Sequence, residues 1–439
     1  MRPRAWLVSA LAIGVLGCGG SQSSPAAPSA PPTVLVTPAA EATTLAGKLM
    51  MGYQGWFGCP GDGSAANKWQ HWFKTSSLAS TDNVNVDMWP EVSEYDPDEL
   101  CPSALPRPDG APAPLYSAYR SKTVLRHFRW MKDYGIDGVF VQRFTANLVG
   151  DSLNFAFRNQ VLQNARAGAE ASRRVYAVML DISSHNEATL VTDLQNDWKY
   201  LVDTLKVTES PNYLREKGRP VLAIWGLGFL DRPGTAAQAQ ALIDYFKTGA
   251  PERYRVTLMG GVPARWRTLG EDSRTDPQWS SVYRSFDILS PWAVGRYRDD
   301  PGADTFLRNA IQPDLAETKA LGIIYSPVVF PGFSWFNKKG AALNQTPRRG
   351  GSFYWRQVYN AVGAGATNLY GAMFDEVDEG TAMYKVAPTA AEAPANASLV
   401  TMNADGEALP SDWYLRVARE SGRMLRNEIP LSPQMPLLR

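Results

Sequence analysis

The sequence predicts an α/β protein built as a (β/α)₈ barrel with a long insertion after the first strand. Apolar segments of strand length alternate with segments of helical periodicity, which is typical of a parallel sheet made of βα units. The expected strands are residues 50–57, 136–144, 174–182, 220–226, 255–261, 286–292, 323–330 and 368–376. Eight such strands close a barrel. An open doubly wound sheet has the same alternation, but residues 58–61 lack the glycine pattern of a phosphate loop, so the barrel is preferred.

Helices are expected between the strands because apolar residues recur at three- and four-residue spacing. Val124, Phe128 and Met131 share one face behind Ser121 as a cap, and Gly135 follows the end of this helix. The exception is the stretch of about 80 residues between the first two strands, which is rich in Pro, Asp and Trp. An ordered insertion of that length is expected to serve function.

Three segments are expected along the chain. Residues 1–18 combine basic residues, a short apolar run and Cys18, and this is the layout of a secretory signal that is too short to span a bilayer. Residues 15–18, Val-Leu-Gly-Cys, resemble a bacterial lipobox, which would make Cys18 a lipid anchor; the alternative is an ordinary signal with an incidental cysteine. Residues 19–42 form a Pro/Ala/Ser-rich tether, and residues 43–439 form one barrel domain. We therefore expect an exported bacterial cell-envelope protein that meets the membrane only through its lipid anchor.

Composition narrows the classes of ligand. The formal net charge is +1, so there is no basic field for nucleic acid. The 14 Trp and 18 Tyr provide flat apolar faces suited to sugar rings, although many of them must be core residues. Three scattered histidines and the absence of a C-x-x-C motif predict no metal site, and no cofactor is expected. We expect a monomer.

Two cysteines remain beyond the anchor. A bridge between Cys59 and Cys101 is expected, because disulfides persist in exported proteins; free buried thiols are the alternative. The bridge would close a loop of about 40 residues and stabilise the fold by roughly 3 to 4 kcal/mol.

The densest acidic cluster in the chain follows the eighth predicted strand. Residues 374–381 read Phe-Asp-Glu-Val-Asp-Glu-Gly-Thr, with four carboxylates within five residues. The carboxyl ends of barrel strands form the active-site face. Crowded like charges at that depth raise one pKa and leave another low, so an acid and a base can coexist near neutral pH. Glycosidic cleavage requires such a pair of carboxylates.

This segment resembles the strand-eight motif of glycoside hydrolase family 99, the endo-α-mannosidases and endo-α-mannanases, and of the related family 71 and 99-like bacterial proteins. The family motif runs Phe-Asn-Glu-Trp-His-Glu-Gly-Thr, so both glutamates, the glycine and the threonine coincide. The resemblance extends to residues 51–58, 69–72 and 135–138. It implies a retaining hydrolase of α-linked glycans, with α-mannan as the leading substrate class. Glu376 would be the base toward the sugar 2-hydroxyl, and Glu379 the general acid/base.

The sequence departs from the family motif at Asp375, Val377 and Asp378, which leaves an α-glucan substrate of family 71 type open. A glycan-binding surface lipoprotein without catalysis is a further alternative, and so is an acid/base pair of Asp181 with Glu376. Strand ends and the insertion supply the other residues expected to bind the oligo- or polysaccharide. With the two aspartates of the motif, these are Tyr53, Trp56, His71, Gln142, Asp181, Trp225, Trp292, Trp335, Asp375 and Asp378.

Overall fold

A computed structural model describes residues 38–437. Cys18, the secretory signal and most of the tether lie outside these residues. The barrel strands are β1 (Leu49–Tyr53), β2 (Gly138–Phe144), β3 (Val175–Asp181), β4 (Arg219–Trp225), β5 (Thr257–Val262), β6 (Ile288–Pro291), β7 (the two segments Ile324–Tyr325 and Val328–Val329) and β8 (Leu369–Gly371).

The eight strands pair in parallel and in chain order. Each strand from β1 to β6 pairs with the next, β1 also pairs with β8, and β7 connects β6 to β8. The first segment of β7 pairs with β6 and its second segment pairs with β8. Only Ser326 and Pro327 separate the two segments, so the sheet closes on itself. The predicted (β/α)₈ barrel is confirmed.

Helices follow the strands and cover the outside of the barrel. They are α1 (Ser121–Asp133), α2 (Ser152–Ser172), α3 (Leu190–Asp203), α4 (Ala236–Asp244), α5 (Gln278–Tyr283), α6 (Asp300–Phe306), α7 (Gln312–Leu321), α8 (Phe336–Lys339), α9 (Ser352–Gly363) and α10 (Trp413–Leu425). The apolar faces of the longer helices are buried; Val124, Phe128 and Met131 of α1, for example, are fully enclosed. In the part of the chain that the structure describes, no helix is long and apolar enough to cross a membrane.

The strand alternation decides which side chains reach the barrel interior. Successive strand residues point to opposite faces. At the end of β1, a side chain at Gly52 would meet Tyr370 and Met373 inside the barrel. The next residue, Tyr53, instead reaches α1, where its hydroxyl lies 2.9 Å from Nδ1 of His127. Tyr53 therefore belongs to the layer between sheet and helices.

The insertion between β1 and α1 is ordered and largely buried. A short antiparallel pair, Leu100–Cys101 with Leu115–Tyr116, organises it. The structure joins Cys59 and Cys101 in a disulfide with a Cα–Cα distance of 6.4 Å. The ring of Trp72 packs on Phe57 at 4.1 Å between centroids, and its indole N–H donates to the carbonyl of Tyr116 at 3.0 Å. The insertion is thus fastened to the loop that leaves β1.

Two strands end four or five residues before their predicted last residues. The sequence predicts that the first strand extends to residue 57 and the eighth to residue 376, but β1 ends at Tyr53 and β8 at Gly371. The reason lies in Asp375, whose carboxylate accepts the backbone N–H groups of Gln54 and Gly55 at 2.7 and 2.9 Å. The Asp375 side chain thus takes the place of main-chain hydrogen bonds between the segments that follow β1 and β8. The acidic cluster therefore lies on a loop beyond β8.

Candidate active site

A cavity of about 360 Å³ opens at the carboxyl ends of the strands. Its wall is formed by side chains at or just beyond the ends of β1, β2, β3, β4, β6, β7 and β8, together with one residue of the insertion. The lining residues are Gln54, Trp56, His71, Gln142, Phe144, Asn147, Asp181, Ser183, Trp225, Phe229, Asp231, Arg232, Trp292, Val294, Arg296, Phe333, Trp335, Lys338, Glu376 and Glu379.

Aromatic rings make up much of the wall. Trp225 packs against Trp292 with the rings edge to face, 5.3 Å between centroids, and against Phe229 at 5.0 Å. Phe333 and Trp335 form a second pair at 5.0 Å. Rings that are held by other rings give rigid apolar surfaces, and sugar rings pack on such surfaces through their C–H faces.

Glu376 is a buried carboxyl group held by two neutral donors. Its Oε1 accepts from the Gln54 side-chain amide at 2.9 Å, and its Oε2 lies 3.2 Å from the Thr381 hydroxyl. Burial raises the pKa of Glu376 well above its ordinary value, and the neighbouring Glu379 and Asp378 raise it further. Glu376 is therefore the member of the cluster that most readily holds a proton.

Glu379 and Asp378 share a cation. The ammonium of Lys338, on α8, lies 2.8 Å from Oε1 of Glu379 and 3.1 Å from Oδ2 of Asp378. Burial opposes ionisation of Asp378, but Lys338 and His71 outweigh it and hold the pKa of Asp378 below its ordinary value. Burial likewise works against the charge of Lys338, yet the two carboxylates raise its pKa. Asp378 is fully buried behind the wall, whereas Glu379 lines the cavity.

Asp375 lies beneath the cavity and joins the loops after β1 and β8. Burial raises its pKa to about 7, although the N–H groups of Gln54 and Gly55 act in the opposite direction. Because both oxygens are occupied by main-chain donors, Asp375 positions Gln54 beside Glu376. It does not line the cavity.

Asp181 ends β3 in the cavity wall. Burial raises its pKa to about 6, while Ser183 and Arg232 lower it and Glu379 raises it. Its Oδ1 accepts the backbone N–H of Ser183 at 2.8 Å. This second carboxyl with a raised pKa contributes to the same cavity as Glu376.

His71 is the insertion's contribution to the wall. Its ring stacks on Trp56 at 4.0 Å with only 5° between the planes, and Nδ1 lies 3.8 Å from Oδ2 of Asp378. Burial lowers the pKa of His71 although Asp378 acts in the opposite direction, so the ring is neutral at pH 7. Both residues of this stacked pair line the cavity.

The structure brings most of the predicted site residues together. Nine of them line the cavity: Trp56, His71, Gln142, Asp181, Trp225, Trp292, Trp335, Glu376 and Glu379. Three others lie outside it: Tyr53 in the layer next to α1, Asp375 beneath the floor, and Asp378 behind Lys338.

Several cavity residues have no counterpart among the sequence predictions. Lys338 follows β7 and is 41 residues from Glu379, and Gln54 lies one residue beyond the end of β1. Arg232 lies over the ring of Trp225 at 5.3 Å, and Arg296 pairs with Asp272 at 2.8 Å. No motif points to Lys338, Arg232 or Arg296. Gln54 lies within residues 51–58, where the sequence resembles the first strand of family 99, and that resemblance is the signal that could have indicated it.

No protein-family model matches the sequence, and no curated protein matches it. Among solved structures, the GH99 endo-α-mannosidase from Bacteroides thetaiotaomicron aligns with a TM-score of 0.63 at 16% identity, covering 88% of this chain and 99% of that one. The same enzyme in complex with bis-tris-propane aligns with a TM-score of 0.62, at the same identity and coverage. The fold expected from the motif after β8 is confirmed: the chain has a GH99-like (β/α)₈ fold.

Proposed function

We propose that this protein is a retaining glycoside hydrolase that cleaves α-linked glycans, with α-mannan-like chains as the leading substrate. The observation that carries the proposal is the position of Glu376 and Glu379. Both line an aromatic-walled cavity at the carboxyl ends of a barrel whose fold is similar to that of an endo-α-mannosidase. A pair of carboxyl groups in a sugar-sized, aromatic cavity is what glycosidic cleavage requires.

In the proposed reaction Glu376, as a carboxylate, takes the proton of the sugar 2-hydroxyl. The freed O2 attacks C1 and expels the glycosidic oxygen, which receives the proton of Glu379. The product of this step is a 1,2-anhydro sugar. In the second step Glu379 removes a proton from water, the water oxygen attacks C1, and O2 recovers its proton from Glu376. Two inversions at C1 give net retention of configuration.

The decisive experiment is hydrolysis of a panel of α-mannans, α-glucans and trimmed N-glycans, with product configuration followed by NMR. Glu376→Gln and Glu379→Gln, shown to be folded by circular dichroism, should each lose at least about 100-fold in kcat/KM. Glu271→Gln is the control, because Glu271 is 66% exposed on its side chain and pairs with Arg265 outside the cavity. Variants that cleave as well as wild type would refute the assigned pair.

Three further outcomes would favour one of the alternative functions or an alternative catalytic pair. Asp375, Val377 and Asp378 differ from the family motif, so hydrolysis of an α-glucan in place of α-mannan would assign the protein to the alternative substrate class. Binding of a glycan without cleavage by the wild-type protein would favour a surface glycan-binding protein. A pair formed by Asp181 and Glu376 would be supported if Asp181→Asn, but not Glu379→Gln, abolished hydrolysis.

We also propose that the protein is exported and anchored by a lipid on Cys18. The support is the lipobox-like tetrad at residues 15–18 followed by a Pro/Ala/Ser-rich tether. Radiolabelled palmitate should be incorporated by the full chain expressed in a bacterium and should not be incorporated by Cys18→Ala. Equal labelling of the two proteins would refute the anchor.

A further inference from the structure

Lys338 occupies an unusual position for a side chain in a glycan cavity. Its ammonium bridges Glu379 at 2.8 Å and Asp378 at 3.1 Å, and it lies 5.5 Å from the centre of the Trp56 ring. The side chain is only 23% exposed. This cation offsets the repulsion between the carboxylates of Asp378 and Glu379, because its ammonium contacts both of them.

The backbone that carries Lys338 is fixed from the insertion. Asp87 is fully buried, and its two carboxylate oxygens accept the backbone N–H groups of Phe336 and Asn337, each at 2.7 Å. The side-chain amide of Asn337 donates to the carbonyl of Val86 at 2.9 Å. These contacts occupy the first free N–H groups of α8 and hold the helix against the insertion.

The cluster around Lys338 carries more carboxyl groups than cations. The charged and titratable groups that face it are Asp375, Glu376, Asp378 and Glu379 after β8, His71 from the insertion, Arg158 from α2, Asp181 at the end of β3 and Arg232 after β4. Burial raises the pKa of Glu376, Asp375 and Asp181, and repulsion between neighbouring carboxylates adds to this effect.

The geometry distinguishes the two proposed catalytic groups. Glu379 touches the ammonium of Lys338, whereas Glu376 contacts the neutral donors Gln54 and Thr381. We infer that Lys338 is a positioning residue that holds the Glu379 carboxylate in an ion pair and so places the proton shared by the pair on Glu376. This inference rests on the proposed function, and it goes beyond it by assigning the starting location of the proton.

In the proposed reaction, glycan binding changes the contacts of Lys338. The proposed reaction starts with the proton on Glu379, so Glu379 has to exchange Lys338 for the glycosidic oxygen. Asp378 offers Lys338 a place to remain, since it already lies 3.1 Å away and its Oδ1 has no hydrogen-bond partner within residues 38–437. In the proposed cycle Lys338 therefore rests on Asp378 alone while the glycan is bound, and the shared proton passes to Glu379.

The first test needs no substrate. Side-chain carboxyl carbons of Glu are labelled with ¹³C, Glu376 and Glu379 are assigned from the two glutamine variants, and their titrations are followed in wild type and in Lys338→Met. The Glu379 midpoint should rise by about one pH unit or more in Lys338→Met, which is the usual effect of losing an opposite charge at this distance. Lys339→Met is the matched control because Lys339 is the exposed neighbour on α8. An unchanged Glu379 midpoint in a folded Lys338→Met would overturn the inference.

The second test uses whichever glycan of the panel the wild-type protein hydrolyses. Because Lys338→Met removes a cation from beside the carboxyl pair, both limbs of the pH profile of kcat/KM should move about one unit toward alkaline pH. Lys338→Arg, which keeps the cation, should keep the wild-type profile. A lower kcat in Lys338→Met with an unchanged pH profile of kcat/KM would show that Lys338 has only a structural role. If no glycan is hydrolysed, the proposed function fails while the NMR titration still decides the inference.

Discussion

At the scale of single residues, buried carboxyl groups at the active-site face differ in the donors that hold them. Asp375 accepts two backbone N–H groups, Glu376 contacts two neutral side chains, and Asp378 and Glu379 share Lys338. Donor type therefore separates groups that look equivalent in the sequence. The pKa of Asp378, which lies next to the Lys338 ammonium, is lowered, whereas the pKa values of Asp375 and Glu376, whose hydrogen-bond donors are neutral, are raised.

Asp181 gives a prediction about stability and pH. Its pKa rises from 3.8 to about 6 in the folded protein, so between these values the folded chain binds more protons than the unfolded chain. Stability then falls as pH rises through this window. The difference in unfolding free energy between wild type and Asp181→Asn should fall by up to about 3 kcal/mol from pH 4 to pH 7.

Urea denaturation at pH 4, 5, 6 and 7 checks this expectation. Asp231→Asn is the control, since its carboxylate is 73% exposed on the rim of the same cavity. A wild-type-minus-variant difference that stays flat across the window would show that Asp181 titrates normally in the folded chain.

Several of the residues that the sequence predicts correctly for the cavity wall lie at the ends of strands. Asp181 and Trp225 are the last residues of β3 and β4, and Trp292 is the first residue after β6. Tyr53 also ends a strand but lies toward α1, because the exact register of the alternation decides its direction. The sequence does not predict Lys338 as a site residue, because its role depends on the contact with Glu379, 41 residues away. A single lysine on a short helix also forms no sequence pattern that could indicate a site.

At the scale of elements, α8 depends on the insertion more than on its own sequence. It has only four residues, and its first N–H groups are held by Asp87. A helix this short has no stability of its own in water. Its position is therefore a tertiary property that a local pattern cannot predict.

Asp87→Ala should release this end of α8. Loss of two charge-assisted hydrogen bonds is expected to lower the unfolding free energy by about 2 to 3 kcal/mol. Hydrogen exchange at the amides of Phe336 and Asn337 should accelerate as well, and mass spectrometry of the α8 peptide measures this. Asp82→Ala, at an exposed position of the insertion, is the control and should change neither quantity. Unaltered protection of the two amides in Asp87→Ala would contradict the role given to Asp87.

The disulfide of the insertion is a second element-scale feature. Cys59 and Cys101 are 42 residues apart, so the bridge restricts the unfolded chain strongly. Replacing both cysteines by alanine should lower the unfolding free energy by about 4 kcal/mol. Denaturation of wild type with and without reductant gives an independent measure. If the double variant is as stable as the oxidised wild type, the bridge does not stabilise the fold.

The ends of elements were harder to predict than their order. The sequence places the acidic residues on the eighth strand, but in the structure Asp375 and Glu376 lie on a loop beyond Gly371. An apolar run indicates a strand, yet it does not reveal that a carboxylate takes over the pairing with the N–H groups after β1. The number of strands can be predicted because each buried strand is an apolar segment, and these segments alternate regularly with helices. The length of a strand depends on single contacts such as those of Asp375, which the sequence pattern does not reveal.

At the scale of the whole molecule, barrel closure depends on close approach between strands. Gly138 of β2 pairs with Met50 of β1 on one side and with Val175 of β3 on the other. A Cβ at Gly138 would lie 2.0 Å from the carbonyl oxygen of Val175. Because this neighbour is main chain, only a shift of β3 could relieve the overlap.

Gly138→Ala should therefore destabilise the whole barrel by at least about 3 kcal/mol, seen as a lower denaturation midpoint in urea. Gly270→Ala is the matched control, because Gly270 has an ordinary φ and the nearest atom to its Cβ is 4.0 Å away. The control should stay within about 1 kcal/mol of wild type. Equal midpoints for the two variants would show that β2 and β3 tolerate a wider spacing.

The insertion after β1 reaches the cavity in two ways, directly through His71 and indirectly through Asp87 and α8. The proposed carboxyl pair, by contrast, belongs to the loop after β8, so two separate stretches of the chain build the cavity. Exchange of the segment between β1 and α1 would therefore alter one part of the cavity wall and the anchorage of Lys338 in a single step, while Glu376 and Glu379 stay in place.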